Sequence, residues 1–270
     1  MINEANYKNV VLILRDISDQ ASKKILEIYN SDFKINFKDD CSPLTKADIE
    51  SNQIICSRLS REFPRIPIIS EENKNKRLDI DTYFLIDPLN GTKEFIARNG
   101  EFTVNIALII KNKPKLGVIQ IPVKFTQYFS DGIFSYKYKK SIKKISSLRQ
   151  NNKIIMTVSR SHLDAKLETL INKSKNLEII KAGSSLKFCL ISEGKADIYI
   201  RNGKTMGWDI AAGIAILKTA GGNVCRLNLK EIELNKKTFI NDSFVCFRKN
   251  FNHEKLKSIL NNFKKIINND

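Results

Sequence analysis

Two short apolar runs that end in carboxylates constrain the fold of this chain more than any other feature. Residues 66–69 and 83–86 are each long enough for a buried strand, and an acidic side chain follows each run, Glu71 after Ser70 and Asp87 directly. A continuous apolar run of this length, without alternation, is typical of a strand covered on both faces. The sequence therefore predicts a sheet that is buried between other layers and carries carboxylates at its strand ends.

The segments around these runs predict helices and strands in a mixed order. Residues 4–30 have helical periodicity, with Val11, Leu14 and Ile17 on one face. Four apolar segments predict an antiparallel meander, at residues 102–110, 116–121, 126–129 and 133–136. After residue 153, strand-like and helical segments alternate, which is typical of a layered α/β structure. We expect an N-terminal α+β half over residues 1–140 and a C-terminal α/β half over residues 141–270.

Charge and cysteine content narrow the function classes. The net charge is +17, but the excess lysine is spread along the chain, and its densest cluster, at residues 137–153, has few aromatics for base stacking. A solvated connector therefore explains this cluster better than a nucleic-acid interface does. The five cysteines are odd in number and have no zinc or redox spacing. We expect no specific nucleic-acid partner and no zinc or disulfide framework.

The chain carries no targeting signal that we recognise. No apolar run approaches the roughly 18–20 residues of a membrane span, and the N-terminus lacks the basic start and apolar core of a signal peptide. A cytoplasmic location follows as the default expectation. The basic charge would also permit peripheral binding at the cytoplasmic face of the inner membrane.

Acidic residues follow or begin predicted elements at three separate places, namely Glu71, Asp87 and Asp209. Each alone has an ordinary structural explanation, because an Asp before a helix is usually a cap and paired glutamates are usually solvated. Together they match what Mg²⁺ requires, a few carboxylates combined with substrate phosphate and water. Pro88 would stiffen the loop so that the Leu89 carbonyl points inward. The sequence therefore favours a site for divalent cations.

Beside the acidic residues, a glycine turn suits phosphate. Gly91 and Thr92 follow the second acidic strand and would open a helix whose free N–H groups hold a phosphate group. Two divalent ions can clamp the attacking and leaving oxygens of a phosphoryl transfer. The residues alone thus indicate metal-assisted phosphate chemistry.

These motifs resemble the inositol monophosphatase superfamily and, within it, most closely the CysQ-type 3′(2′),5′-bisphosphate nucleotidases. The superfamily signatures correspond to DPLNGT at residues 87–92 and WDIAAG at 208–213. Segments similar to the nucleotidase branch are KEFI at 93–96, NGEFTVN at 99–105, SRSH at 159–162, GSSLKF at 183–188 and EGKAD at 193–197. The resemblance implies a layered αβαβα sandwich, Mg²⁺ dependence, lithium sensitivity and hydrolysis of 3′-phosphoadenosine 5′-phosphate to AMP and phosphate.

The resemblance also implies residue roles. Two or more Mg²⁺ ions would be held by Glu71, Asp87, the Leu89 carbonyl, Asn90 and Asp209. Thr92 with Asp48 would orient the nucleophilic water, and Glu71 would help to activate it. Substrate would be bound by Gly91, Thr92, His162, Ser184, Lys187 and Arg201. Of these, Ser184, Lys187 and Arg201 match positions that hold the second phosphate, and His162 matches a position beside the adenine.

Asn90 departs from the superfamily signature, which has Asp at this position. An amide oxygen can ligate Mg²⁺ but brings no negative charge. Three functions stay open: an active bisphosphate nucleotidase, a phosphatase of inositol phosphate or fructose bisphosphate, and a catalytically weakened relative that binds nucleotide. The expected partner is a small phosphorylated nucleotide, and the chain is expected to be a monomer or a homodimer.

Overall fold

Two β-sheets form the frame of the protein, and helices separate and cover them. The computed structural model describes residues 4–39, 42–73, 80–150, 153–161, 163–174, 177–234 and 238–268. No helix within these ranges is long and apolar enough to cross a membrane.

The larger sheet contains the predicted meander. Its seven strands, in spatial order, are β3 (Ile68–Ser70), β4 (Tyr83–Asn90), β5 (Thr103–Ile110), β6 (Lys113–Ile121), β7 (Thr126–Ser130), β8 (Ser135–Tyr138) and β9 (Ile142–Ile145). Strand β3 is parallel to β4, and every later pair is antiparallel. Strand β9 shows that the basic segment after residue 137 is partly a hairpin at the edge of this sheet. The division at residue 140 stays a prediction.

The smaller sheet has five strands from the second half of the chain. In spatial order they are β11 (Leu177–Ala182), β10 (Ile154–Ser159), β12 (Ile198–Arg201), β16 (Phe244–Phe247) and β14 (Asn223–Arg226). Strand β10 is parallel to β11 and β12, whereas β16 is antiparallel to its neighbours. Two short pairs complete the strands: β1 (Ile35–Phe37) with β2 (Pro43–Thr45), and β13 (Thr205–Met206) with β15 (Ile240–Asn241).

Within the described ranges, seven α-helices form three layers around the two sheets. They are α1 (Tyr7–Tyr29), α2 (Lys46–Glu62), α3 (Thr92–Ile96), α4 (Ala165–Lys173), α5 (Leu186–Ser192), α6 (Gly207–Thr219) and α7 (His253–Asn268). Short 3-10 turns lie at Glu4–Asn6 and Pro122–Lys124. Helices α1 and α2 cover the outer face of the larger sheet, α5 and α6 lie between the sheets, and α4 and α7 cover the smaller sheet. The predicted αβαβα sandwich is confirmed.

Strand β4 shows how alternation builds these layers. Phe84 and Ile86 pack towards α1 and α2, whereas Tyr83 and Leu85 pack towards α6. Because successive side chains of a strand point to opposite faces, a run that is apolar at every position can serve two cores. On the inner face, a Cβ on Gly117 would lie 2.5 Å from the Ala212 carbonyl oxygen, so glycine is needed for α6 to approach the sheet. This close contact brings the start of α6 beside the end of β4.

Candidate active site

The three carboxylates singled out from the sequence lie together. Glu71 directly follows β3, Asp87 lies in β4 next to it, and Asp209 lies in the first turn of α6. One oxygen from each comes within 4.8 Å of the others. The parallel pairing of β3 with β4 brings the first two together, and the approach of α6 supplies the third. We call these three side chains the acidic cluster.

Burial makes the acidic cluster electrostatically costly. Asp87 is 0 % exposed, and its Oδ1 atom has no hydrogen-bond partner among the described residues. Removal from water, together with Glu71 and Asp209, raises the pKa of Asp87 well above its ordinary value. Burial likewise raises the pKa of Asp209 to about 6, although the Met206 N–H donates to its Oδ2 at 2.8 Å. A bound cation would remove the cost of holding these carboxylates ionised.

The donor set fits a hard divalent cation. All three candidate ligands are carboxylate oxygens, and Oδ1 of Asp87 offers a lone pair that no group in the described ranges uses. Sites with oxygen ligands alone suit Mg²⁺, Ca²⁺ or Mn²⁺, whereas zinc sites are typically rich in thiolate or imidazole ligands.

Asn90 lies between the acidic cluster and two serines. Its Nδ2 donates to Asp87 Oδ2 at 2.6 Å and to Asp209 Oδ1 at 3.3 Å. Its Oδ1 accepts from the hydroxyls of Ser184 and Ser185. The amide therefore directs N–H groups towards the two buried carboxylates and reduces their mutual repulsion. This is a consequence of Asn that an aspartate at position 90 would not provide.

Thr92 and Asp48 form a hydrogen-bonded pair beside the cluster. Thr92 Oγ1 donates to Asp48 Oδ1 at 3.1 Å, while Asp48 Oδ2 accepts from the N–H and the hydroxyl of Thr45 at 2.7 and 2.6 Å. The capping box of α2 thus fixes the carboxylate that holds Thr92. Burial raises the pKa of Asp48, although its hydrogen bonds oppose the shift.

Gly91 permits the turn from β4 into α3. Its φ of 92° lies in the left-handed region, where glycine has no steric penalty. Helix α3 begins at Thr92, as the sequence predicted. Leu89 lies two residues before Gly91, in the bulge of β4 between Asp87 and Asn90, and its carbonyl oxygen is 3.5 Å from Thr92 Oγ1.

The residues expected to hold a second phosphate line a cavity of about 190 Å³ next to the acidic cluster. Its walls include Asn90, Gly91, Ser184, Lys187, Arg201 and Asp209. Lys187 is 6 % exposed, and its Nζ donates to the carbonyls of Ser184 at 2.5 Å and Ala182 at 3.2 Å. Burial lowers the pKa of Lys187 to about 8, and Arg201 contributes to that lowering. The Nε of Arg201 has no partner within the described part of the chain.

Several neighbours of the site were not singled out from the sequence. Lys38, next to β1, pairs with Glu71 at 2.9 Å and Glu72 at 2.6 Å. Nothing near it in sequence signals this contact, because 33 residues separate it from Glu71. Ser185 donates to the Asp209 carbonyl at 3.2 Å and accepts from Asn105 at 2.7 Å. Both lie inside the quoted nucleotidase segments, which were the available signal. His162 lies outside the described residues.

Three comparisons bear on this geometry. The pattern of the Inositol monophosphatase family matches residues 6–265. A protein of Buchnera aphidicola subsp. Acyrthosiphon pisum named 3′(2′),5′-bisphosphate nucleotidase CysQ is 43% identical over 241 residues, 85% of this chain and 90% of that protein. The protein of that name from Salmonella typhimurium is 38% identical over 234 residues, 84% of this chain and 95% of that one.

A solved structure is similar over nearly its whole length. The crystal structure of CysQ from Bacteroides thetaiotaomicron, described as a bacterial member of the inositol monophosphatase family, has a TM-score of 0.79 and 37% identity, covering 90% of this chain and 98% of that one. Sequence pattern, curated relatives and three-dimensional similarity agree over most of both chains. This chain belongs to the inositol monophosphatase family.

Proposed function

We propose that this chain is a Mg²⁺-dependent 3′(2′),5′-bisphosphate nucleotidase that converts 3′-phosphoadenosine 5′-phosphate to AMP and phosphate. The observation that carries the proposal is the junction of two oppositely charged groups in one cavity. Asp209 of the acidic cluster and its neighbour Asn90 line the same cavity as Lys187 and Arg201. A substrate with two phosphates can present one phosphate to each end.

Asp48, Thr92 and Glu71 are assigned to the water that attacks phosphorus. The Thr92 hydroxyl donates a hydrogen bond to Asp48, so the lone pairs of the hydroxyl oxygen can accept a hydrogen bond from that water. Glu71 would take a proton from the water as the water oxygen bonds to phosphorus and the bond from phosphorus to the ribose 3′ oxygen breaks, and the released 3′ oxygen would take a proton from solvent water. The divalent cations, two or more in our proposal, supply charge neutralisation and a lowered pKa of bound water. Glu71, Asp87, the Leu89 carbonyl and Asp209 would hold them, and Asn90 would join them through its Oδ1 after its amide turns, since its Nδ2 faces Asp87 and Asp209 here.

The second phosphate separates a nucleotidase from an inositol monophosphatase. A buried ammonium and a guanidinium whose Nε–H has no partner among the described residues are suitable donors for a phosphate dianion. Ser184 adds a hydroxyl to the lining of the same cavity. An inositol monophosphate has no second phosphate for these groups, so the basic end favours the bisphosphate nucleotide over inositol monophosphate.

A phosphate-release panel tests the proposal. Metal-free protein is mixed with 3′-phosphoadenosine 5′-phosphate, adenosine 3′-monophosphate, inositol monophosphate and fructose bisphosphate, each across a Mg²⁺ titration. We expect Mg²⁺-dependent release, inhibited by lithium, with the highest kcat/KM for the bisphosphate nucleotide. A preference for inositol monophosphate would overturn the substrate assignment. Absence of turnover of every substrate at saturating Mg²⁺ would overturn the enzymatic assignment.

A cytoplasmic location, peripheral membrane association and the oligomeric state stay predictions from the sequence. Chemical cross-linking at several protein concentrations would separate a monomer from a homodimer.

A further inference from the structure

One ion pair on the rim of the site is not explained by metal binding or by contact with substrate. Glu101 lies in the loop before β5, and Arg160 directly follows β10. Arg160 Nε and a terminal guanidinium nitrogen donate to the two oxygens of Glu101 at 2.7 and 2.8 Å. Such a bidentate pair fixes orientation as well as distance. The pair therefore ties the larger sheet to the end of a strand in the smaller sheet.

Glu101 also holds the backbone that leads to the second-phosphate residues. The Gly183 N–H donates to Glu101 Oε2 at 2.7 Å. Arg160 contacts β11, the strand that precedes Gly183. Its side chain donates to the Lys181 carbonyl at 3.0 Å, and its backbone N–H donates to the Ala182 carbonyl at 3.2 Å. The start of the turn formed by residues 183–185 is therefore held by both members of the ion pair.

This 183–185 turn is tightly confined. A Cβ on Gly183 would lie 2.7 Å from Glu94 Cγ and 2.9 Å from Glu101 Cβ, so the glycine fits between two glutamates. Ser161, adjacent to Arg160, holds the other glutamate by donating to Glu94 Oε1 at 2.7 Å. Two consecutive residues after β10 thus fix the two side chains that enclose Gly183.

The next residue adopts a backbone conformation that needs support. Ser184 has a φ of 48°, in the left-handed region that non-glycine residues seldom adopt. Strained conformations of this kind persist only where their surroundings hold them. Ser184 presents its hydroxyl to the Asn90 carbonyl at 2.8 Å and its own carbonyl to Lys187 Nζ. A shift of this turn would move both the hydroxyl and the ammonium that face the cavity.

We propose that Glu101, held by Arg160, is a positioning residue that fixes the 183–185 turn and so sets the preference for a doubly phosphorylated substrate. Glu101 does not contact the substrate in this account. It acts through the Gly183 N–H on Ser184 and Lys187, and the specificity part of the inference rests on the proposed function. A misplacement of about 1 Å in a binding group costs up to roughly 100-fold in rate, so a small movement of the turn is measurable.

Glu101→Gln, Arg160→Met and the double variant remove the charge pair while leaving the acidic cluster intact. Both side chains are partly exposed, at 17% for Glu101 and 41% for Arg160, so the variants should fold, which thermal unfolding verifies. Glu178→Gln is the matched control, because it breaks an exposed ion pair, Lys153–Glu178 at 2.9 Å. Glu178 lies on β11, the strand that leads into the same turn. We expect the control to behave as wild type.

Two substrates separate positioning from general damage. We expect each single variant to lower kcat/KM for 3′-phosphoadenosine 5′-phosphate about tenfold, mainly through KM, and to leave adenosine 3′-monophosphate within about twofold. The double variant should be no worse than the more affected single variant, because the two residues act as one unit. Equal losses on both substrates, or an unchanged ratio in Glu101→Gln, would overturn the inference.

Amide hydrogen exchange of the segment 182–187 reports on the turn without any substrate. We expect about tenfold faster exchange there in Glu101→Gln and Arg160→Met, and no change in Glu178→Gln. Unchanged exchange would refute the positioning role even if activity fell. Should the wild type show no preference for the bisphosphate, the proposed function and the specificity role would fail together, while the exchange rates would still decide whether Glu101 fixes the turn.

Discussion

The two ends of the cavity respond to burial in opposite directions. At the acidic end, burial raises the pKa values of Asp87 and Asp209, whereas at the basic end it lowers the pKa of Lys187 to about 8. The physical cause is the same, because removal from water disfavours whichever form of a group carries charge. Each end is therefore least costly when a ligand of opposite charge occupies it.

The two ends of the cavity also differ in the protein groups that pair with their charged side chains. Asn90 and the Met206 N–H donate hydrogen bonds to the buried carboxylates, and Lys38 pairs with Glu71. At the basic end, Lys187 has backbone carbonyls as acceptors. At neither end do protein groups satisfy every polar atom, since Asp87 Oδ1 and Arg201 Nε lack hydrogen-bond partners in the described part of the chain. Function is thus maintained at a cost in stability.

Removing a carboxylate at the acidic end should have the largest effect. Asp87→Asn deletes one ligand of the expected cation, and we expect kcat/KM to fall by about 10³-fold. Because the raised pKa of Asp87 means that its ionised form opposes folding at neutral pH, the metal-free variant should melt at a temperature a few degrees higher. Phosphate release and thermal unfolding with a chelator measure both effects.

The control for this change is an aspartate just before the N-terminal end of β4. Asp81 precedes β4 and is exposed, so Asp81→Asn should alter neither activity nor melting temperature. If Asp87→Asn retained wild-type turnover, the acidic cluster would not be the catalytic metal site.

Removing the cation at the basic end should affect binding more than chemistry. We expect Lys187→Met to raise the KM for 3′-phosphoadenosine 5′-phosphate by about 10- to 100-fold, with a smaller change in kcat, because a charged hydrogen-bond donor to phosphate is lost. The KM for adenosine 3′-monophosphate should change little. An equal loss on both substrates would contradict the assignment of Lys187 to the second phosphate.

Asn90→Asp sharpens the comparison by adding charge to the acidic end. A fourth carboxylate should increase the affinity for Mg²⁺ by about tenfold and lower the melting temperature of the metal-free protein. We expect the natural protein to be active at saturating Mg²⁺ and the variant to have similar kcat. If only the variant turned over substrate, the chain would be the catalytically weakened relative that Asn90 left open.

The smallest effect concerns pH at the basic end. Burial is the largest influence on Lys187, followed by Glu94, Arg201, Glu101 and Asp209, and its pKa is lowered to about 8. The ammonium is therefore present below that pH and lost above it, so KM for the bisphosphate should rise roughly threefold between pH 7.5 and pH 8.5. In Lys187→Arg the charge persists, and this rise should disappear. The same rise in that variant would assign the titration to another group.

Much of this arrangement could be predicted from local sequence. The apolar runs before Glu71 and Asp87 predicted buried strands with carboxylates at their ends, and Gly91 and Thr92 predicted the start of α3. These features depend on periodicity and on residues a few positions apart, which a single sequence displays. The layered fold followed from the alternation of elements and from the family resemblance.

The remaining features depend on contacts across the chain. Lys38 reaches Glu71 and Glu72 only after β1 and β2 fold beside the site, and Arg160 meets Glu101 across 59 residues. The direction in which the Asn90 amide points depends on Ser184 and Ser185, more than 90 residues away. Local propensity holds no information about such pairs, because tertiary packing decides them.

Calorimetric titration of Mg²⁺ into metal-free protein, with the wild type and Asp87→Asn run side by side, tests most directly whether the acidic cluster holds the catalytic cation. We predict saturable binding to the wild type and at least about tenfold weaker binding to the variant. Identical binding curves for the two proteins, or no binding to the wild type, would contradict the account.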